Sequence, residues 1–307
     1  MKSRNHLFRF FINGFIFLII ILLFDQVTGR ILRHYYFTSK SGANYNTTYS
    51  MDSTKAELII LGSSRASHHY IPDLIEDSLG ISCYNTGRDG NFLFFNYAVF
   101  KSILKRYNPK IVLLDVNAKD LNKDNREKSY EGLVTLLPYY DSKPELRNII
   151  RLRSHYEQYK LLLATYAYNS SIIAIGTGNL IGYINNNAKG YLPLKGSSIM
   201  HIKPPSTQED SGEFDVLKVN VIDSMALICN QRDIRFLIVQ SPRYTIVQQR
   251  KLNQNLTATA DKYQCDYWNF VNDSLFINSP GLFKDGAHLN DDGAQLFTLS
   301  VIHKLKQ

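Results

Sequence analysis

The chain has only three cysteines, Cys83, Cys229 and Cys265, in 307 residues. They cannot all pair with one another and they lack metal-ligand spacing, so neither a disulfide framework nor a zinc site is written into the sequence. Their expected role is that of small buried apolar residues. Basic runs are also missing. Lys and Arg outnumber Asp and Glu, 35 to 27, for a net charge of +8, yet they are scattered along the chain. Without a phosphate-binding track, nucleic acid is excluded as the expected partner. No internal repeat is present. A content of 44% hydrophobic and 20% charged residues describes a folded chain.

One long hydrophobic run stands out. Residues 7–24 read LFRFFINGFIFLIIILLF behind a short leader, residues 1–6, which carries Lys2 and Arg4. Eighteen residues of this character suffice for a transmembrane helix. No small-x-small cleavage site follows, so the segment reads as an uncleaved signal anchor. Arg30, Arg33 and Lys40 behind the span nearly balance the leader. A short leader of this kind favours an inside N-terminus, with the following domain extracytoplasmic. Residues 25–55 read as a juxtamembrane linker, because 39–54 (SKSGANYNTTYSMDST) is small, polar and without periodicity.

From residue 56 to 307 a different rhythm sets in. ELIILGSS, ISCYNTG, KIVLLDVN, RFLIVQSPRY and CDYWNF are short apolar runs that end in polar or glycine residues. Between them lie helical patterns, such as PDLIEDSLG closing on Gly80 and the stretch 92–106. Buried parallel strands alternating with helices predict an α/β fold with a sheet covered on both faces. The rhythm breaks at about 122–212, an insertion in which residues 148–166 (NIIRLRSHYEQYKLLLATY) read as one long helix. The insertion is expected either to cap the site or to dock a partner.

In such folds the site lies beyond the C-terminal ends of the strands. Polar groups gather there: Ser63, Ser64 and Arg65 after the first run, Asn85 to Gly90 after the second, Asp115 and Asn117 after the third. Asp285 and His288 lie near the C-terminus. A serine hydroxyl needs a base, and a neutral imidazole held by a carboxylate three residues earlier can serve. Backbone N–H groups of a glycine-rich loop can receive the developing oxyanion. Arg65 could meet an anionic substrate group or close a salt bridge inside the domain. His68 and His69 are expected to be exposed polar residues ahead of the Pro72 helix, or one of them to face the substrate, rather than metal ligands.

The motifs LGSSRA, NTGRDGN and KDGAHLNDDGAQLF resemble the first, second and last sequence blocks of the SGNH (GDSL-type) hydrolases. The resemblance covers scattered blocks between residues 61 and 297, leaving out the anchor and the insertion. It implies a flavodoxin-like three-layer α/β/α sandwich with Ser64 as nucleophile, His288 as general base and Asp285 as orienting acid. It also implies an oxyanion hole made by the N–H groups of Ser64 and Gly90, with an amide donor from the third block. There the chain departs from the family. Asn117-Ala118-Lys119-Asp120 stands where the family has Gly-x-Asn-Asp, so Asn117 comes two positions early and Lys119 fills the donor's place. Ser63 replaces the family's aspartate, as it does in extracytoplasmic branches that act on cell-surface polymers.

The implied activity is a serine-dependent esterase or acyl transfer on O-acyl, chiefly O-acetyl, groups of cell-surface carbohydrate. No cofactor and no metal is required. Arg65 and Lys119 are candidate substrate contacts, and a membrane acyltransferase is a candidate partner. The competing expectation is a carbohydrate-binding or scaffold protein of an envelope assembly complex that performs no catalysis.

Overall fold

The computed structural model describes residues 2–123, 126–180, 188–197, 208–209, 213–244 and 247–307. Two compact units divide the chain, Met1–Tyr45 with Val134–Tyr183 and Asn46–Leu133 with Ile184–Gln307.

In the second unit the apolar runs become five parallel strands: Leu58–Leu61 (β1), Cys83–Asn85 (β2), Ile111–Asp115 (β3), Arg235–Gln240 (β4) and Asp266–Asn269 (β5). Their order is β2-β1-β3-β4-β5, the flavodoxin-like arrangement. Register is set by pairs such as Leu58 with Cys83 and with Ile111, and Leu237 with Asp266. Every β1 residue is buried, which is why LIIL shows no polar alternation: a central parallel strand meets apolar layers on both faces. On one face, Leu58, Ile60, Leu113, Leu237 and Val239 share a core with Ala66, Ile75, Phe297 and Val301 from the covering helices. Helices Leu93–Leu104, Val216–Gln231 and Arg250–Tyr263 form the other layer, with Val216–Gln231 packed against both its neighbours and β4. The Pro72–Leu79 helix ends as its sequence predicts, on Gly80 in the left-handed region (φ 67°). Cys83 and Cys229 are buried thiols, and Cys265 is partly buried.

The stretch read as an irregular linker is largely helical. The first helix runs on to Phe37, and Gly42–Asp52 forms a second one. GANYNTTYSMD carries no amphipathic pattern because tertiary contacts hold it. The Arg106 guanidinium donates to the carbonyls of Met51 (2.7 Å), Thr54 (2.9 Å) and Ser50 (3.2 Å) at its C-terminal end. Arg88 reaches Thr47 at 2.7 Å, and the Tyr49 ring lies on Tyr84. These groups satisfy carbonyls that a helix end leaves open.

The first unit joins the helix Lys2–Phe37 to part of the insertion. Residues 6–37 are long and apolar enough to cross a membrane. Residues 148–166 are not one helix: the chain forms Arg147–Arg151, breaks, and resumes as Glu157–Lys160 before further turns. Two carboxylates impose the breaks. Glu157 is fully buried and accepts from Arg153 (2.6 Å), Lys160 (3.0 Å) and the Tyr166 hydroxyl (2.9 Å). Asp25 accepts the backbone N–H groups of Ala164 (2.6 Å) and Thr165 (3.2 Å). Collecting these donors outweighs helix propensity in a segment this short. Residues 181–187, 198–207 and 210–212 of the expected insertion lie outside the described residues.

Candidate active site

β1 and β3 lie side by side, and the chain leaves them in opposite directions, so a crevice opens beyond their C-terminal ends. At the end of β1 the chain turns through Gly62 and Ser63 into the short helix Ser64–His69. A Cβ on Gly62 would lie 2.6 Å from the Ala66 Cβ, so only glycine lets the turn close this tightly. Ser63 occupies the N-cap position without a side-chain capping bond. Ser64 is the one residue between 58 and 70 that is not buried. The turn thus leaves Ser64 as its most exposed residue at the crevice.

The Ser64 Oγ lies 2.8 Å from His288 Nε2. Asp285 Oδ2 and Oδ1 lie 2.9 and 3.0 Å from the other ring nitrogen, Nδ1. Asp285 Oδ1 also accepts the N–H groups of Ala287 (2.8 Å) and His288 (3.0 Å), an Asx-type turn that fixes acid and ring together. An ionised carboxylate can only accept, so the ring proton belongs on Nδ1 and the Nε2 lone pair faces the hydroxyl. Burial alone would raise the Asp285 carboxyl, but bonds from His288 and Ala287 outweigh it and hold the group below its usual range. The last helix does not use Asp285 as its cap. Asn290 does that, accepting from the Gly293 N–H at 2.9 Å.

The cleft above these groups, about 170 Å³, is lined by Ser63, Ser64, Arg65, Phe92, Asn117, Arg243, Ala287 and His288. Asn117 stands at its β3 side, held by Asp120. The Asp120 carboxylate accepts both the Asn117 backbone N–H and its amide N–H at 2.8 Å. Burial pushes Asp120 up to about 6 against the Asn117 backbone bond and the nearby Arg65 charge. One amide N–H of Asn117 is left for another acceptor. Asp120 thus holds Asn117 in place at the cleft.

Arg65 reaches the cleft but is committed to the protein. Its guanidinium donates to Asp115 (3.1 Å) and to the carbonyls of Val116 (3.0 Å) and Ser241 (3.2 Å). Both charges are buried. Burial raises the Asp115 carboxyl despite the guanidinium, and the Tyr70 hydroxyl donates to it at 2.7 Å. Of the two roles considered for Arg65, the internal salt bridge is the one occupied. Removing one partner from such a pair costs about 3–5 kcal/mol.

A second histidine–aspartate pair lies beside the first. The His68 ring stands edge-on to His288, with centroids 5.6 Å apart. Its Nε2 is 3.1 Å from Asp89 Oδ2, and its Nδ1 is 2.6 Å from the Leu192 carbonyl. Ser67 donates to the other Asp89 oxygen at 2.5 Å. Burial works to lower His68, but the Asp89 and Leu192 acceptors outweigh it and raise its pKa. His69 is enclosed and accepts the Leu289 N–H at Nε2, 3.0 Å. Burial, with Arg65, His288 and His68 nearby, holds it far below the usual histidine range.

Gly90 is exposed in the turn after β2 and is not among the residues lining the cleft. The side chain of Lys119 lies outside the described residues. Sequence reasoning missed Phe92, Arg243, and the Asp89–His68 pair. Arg243 had a signal, since it stands three residues past the end of β4.

No protein-family model matches the chain, and none of the curated proteins matches it. Among solved structures it is similar to a Bacteroides fragilis protein described provisionally as an acylhydrolase. The two share 14% identity with a TM-score of 0.43, over 87% of this chain and 100% of the other. At that identity no residue role carries across, and the reading of the site rests on its own geometry.

Proposed function

We propose that the chain is a serine-dependent esterase or acyl-transfer enzyme, held at a membrane by its N-terminal helix. The observation that carries this reading is the line Ser64 Oγ, His288, Asp285, with 2.8 Å between hydroxyl and Nε2 and 2.9 Å between Nδ1 and carboxylate. In the proposed reaction Ser64 Oγ attacks the ester carbonyl carbon while His288 Nε2 takes its proton. The tetrahedral oxyanion accepts from the Ser64 N–H, at the first turn of its helix, and from the spare amide N–H of Asn117. Its collapse breaks the bond to the alcohol, which leaves with the proton from His288. Water or a second hydroxyl then attacks the acyl-serine, again giving its proton to His288, and Ser64 is regenerated.

The resemblance to extracytoplasmic members of the SGNH group, together with the long apolar helix, supports O-acyl groups of cell-surface carbohydrate as the substrate, with the domain outside the membrane. The test is hydrolysis of a short-chain chromogenic ester, and labelling by a fluorophosphonate, with the full-length protein and its Ser64→Ala variant. Turnover and labelling confined to the wild type support the serine mechanism. Folded wild type that neither turns over nor labels removes it, and leaves carbohydrate binding without catalysis as the function to pursue.

A further inference from the structure

The apolar run of residues 7–24 ends at Asp25, and the next turn of helix grips the insertion at three points. Asp25 accepts the N–H groups of Ala164 and Thr165, and the Gln26 amide donates to the Leu162 carbonyl at 3.2 Å. A Cβ on Gly29 would lie 2.3 Å from the Ala164 Cβ, so the backbones touch there. At 1.5 Å of rise per residue, these contacts hold the chain around residues 161–165 within about 6 Å of the end of the apolar span.

What faces outward in residues 156–163 is apolar apart from Lys160. Leu162 is 73% exposed, Tyr159 61%, Tyr156 57% and Leu163 46%. The one acid among them, Glu157, is turned inward and fully buried on Arg153 and Lys160. Arg30 is exposed and lines the same cleft as Leu162. Four large side chains exposed together are unusual on a face meant for water. Tyrosines and leucines with a basic rim, and with the acid withdrawn, make up the composition of a surface at a bilayer's headgroup boundary.

We infer that residues 156–163 form a second membrane contact, seated in the headgroup layer of the bilayer that the N-terminal helix enters. In this arrangement Tyr159, Leu162 and Leu163 reach the acyl boundary and Arg30 meets lipid phosphates. The inference rests on the membrane-anchor reading of that helix. A continuous link to the span decides for lipid over a protein partner, since a surface fixed this close to the span's end meets the bilayer first.

Depth-dependent quenching tests it in the full-length chain. With Trp268→Phe as background, Phe17→Trp places a single indole in the span and Leu162→Trp places one in the turn. Each variant is reconstituted in phosphatidylcholine–phosphatidylglycerol vesicles with plain or brominated acyl chains. Loss of fluorescence with brominated lipid at both positions is the expected result. Quenching at position 17 with none at 162 overturns the second contact while leaving the anchor intact. No quenching at either position overturns the anchor itself, and the inference with it. Emission at 162 that ignores bromine but shifts to the blue with protein concentration assigns the surface to a second copy of the chain, and also overturns it.

Discussion

His288 and His68 each sit against an aspartate, with ring centroids 5.6 Å apart, and they differ in what faces the second nitrogen. Around His288 the second partner is the Ser64 hydroxyl, which can give up a proton. Around His68 it is the Leu192 carbonyl, which can only accept. With acceptors on both nitrogens, His68 is satisfied only as the imidazolium; with a donor on one side, His288 is satisfied neutral. A carboxylate beside a histidine therefore does not mark a base. The group on the far nitrogen does.

The largest expected effect separates the pairs outright. His288→Gln should lower kcat for a short-chain ester by about 10⁶-fold, while His68→Gln should leave most of the activity. Asp285→Asn against Asp89→Asn is the next contrast. The first should cost about 10⁴-fold in kcat by leaving the ring free to take the wrong tautomer, and the second less than about tenfold, both read from steady-state rates. If Asp89→Asn proves as damaging as Asp285→Asn, the distinction between the pairs fails.

Smaller effects should appear in stability against pH, measured by urea unfolding. His68 has a raised pKa in the folded state, so its contribution is complete below the unfolded histidine value and is lost as pH rises through the folded one. His69 has a lowered pKa, so its contribution is complete above the unfolded value and is lost as pH falls toward the folded one. Each slope is at most about 1.4 kcal/mol per pH unit within its window. Together they should place a stability maximum near the ordinary histidine value, about 6.5. His68→Gln should flatten the alkaline side of that maximum and His69→Gln the acid side. A profile that keeps both slopes in the double variant would assign them to other groups.

Much of this molecule could be read before its structure. The five apolar runs became strands of one parallel sheet because burial on both faces leaves a continuous hydrophobic signature. Ser64, Asp285 and His288 could be picked out because two lie within one turn and the third follows a glycine-tight corner. The role of His68 could not, since its second acceptor comes from the chain at residues 189–192 crossing from β2 to the Ser64 helix. Lys189 O accepts the Asn85 N–H there, and the Leu192 N–H meets Ser67 O. These are backbone bonds, and no side-chain pattern announces them. The helix Gly42–Asp52 was missed for a related reason, its stabilising partners being Arg88 and Arg106 far along the chain. Residues 148–166 misled in the opposite sense, because helical periodicity gave way to the donors demanded by Glu157 and Asp25.

The grip of Arg106 on Ser50, Met51 and Thr54 also decides where the protein can be severed from its long apolar helix. A shortened version that begins at Ala56 would strip the guanidinium of three carbonyl partners and uncover the Tyr84 ring where Tyr49 lies. One that begins at Gly42 keeps the whole helix as an N-terminal brace. A protease that releases the domain intact must therefore cut before this brace, and the same boundary is where a fusion partner should be joined.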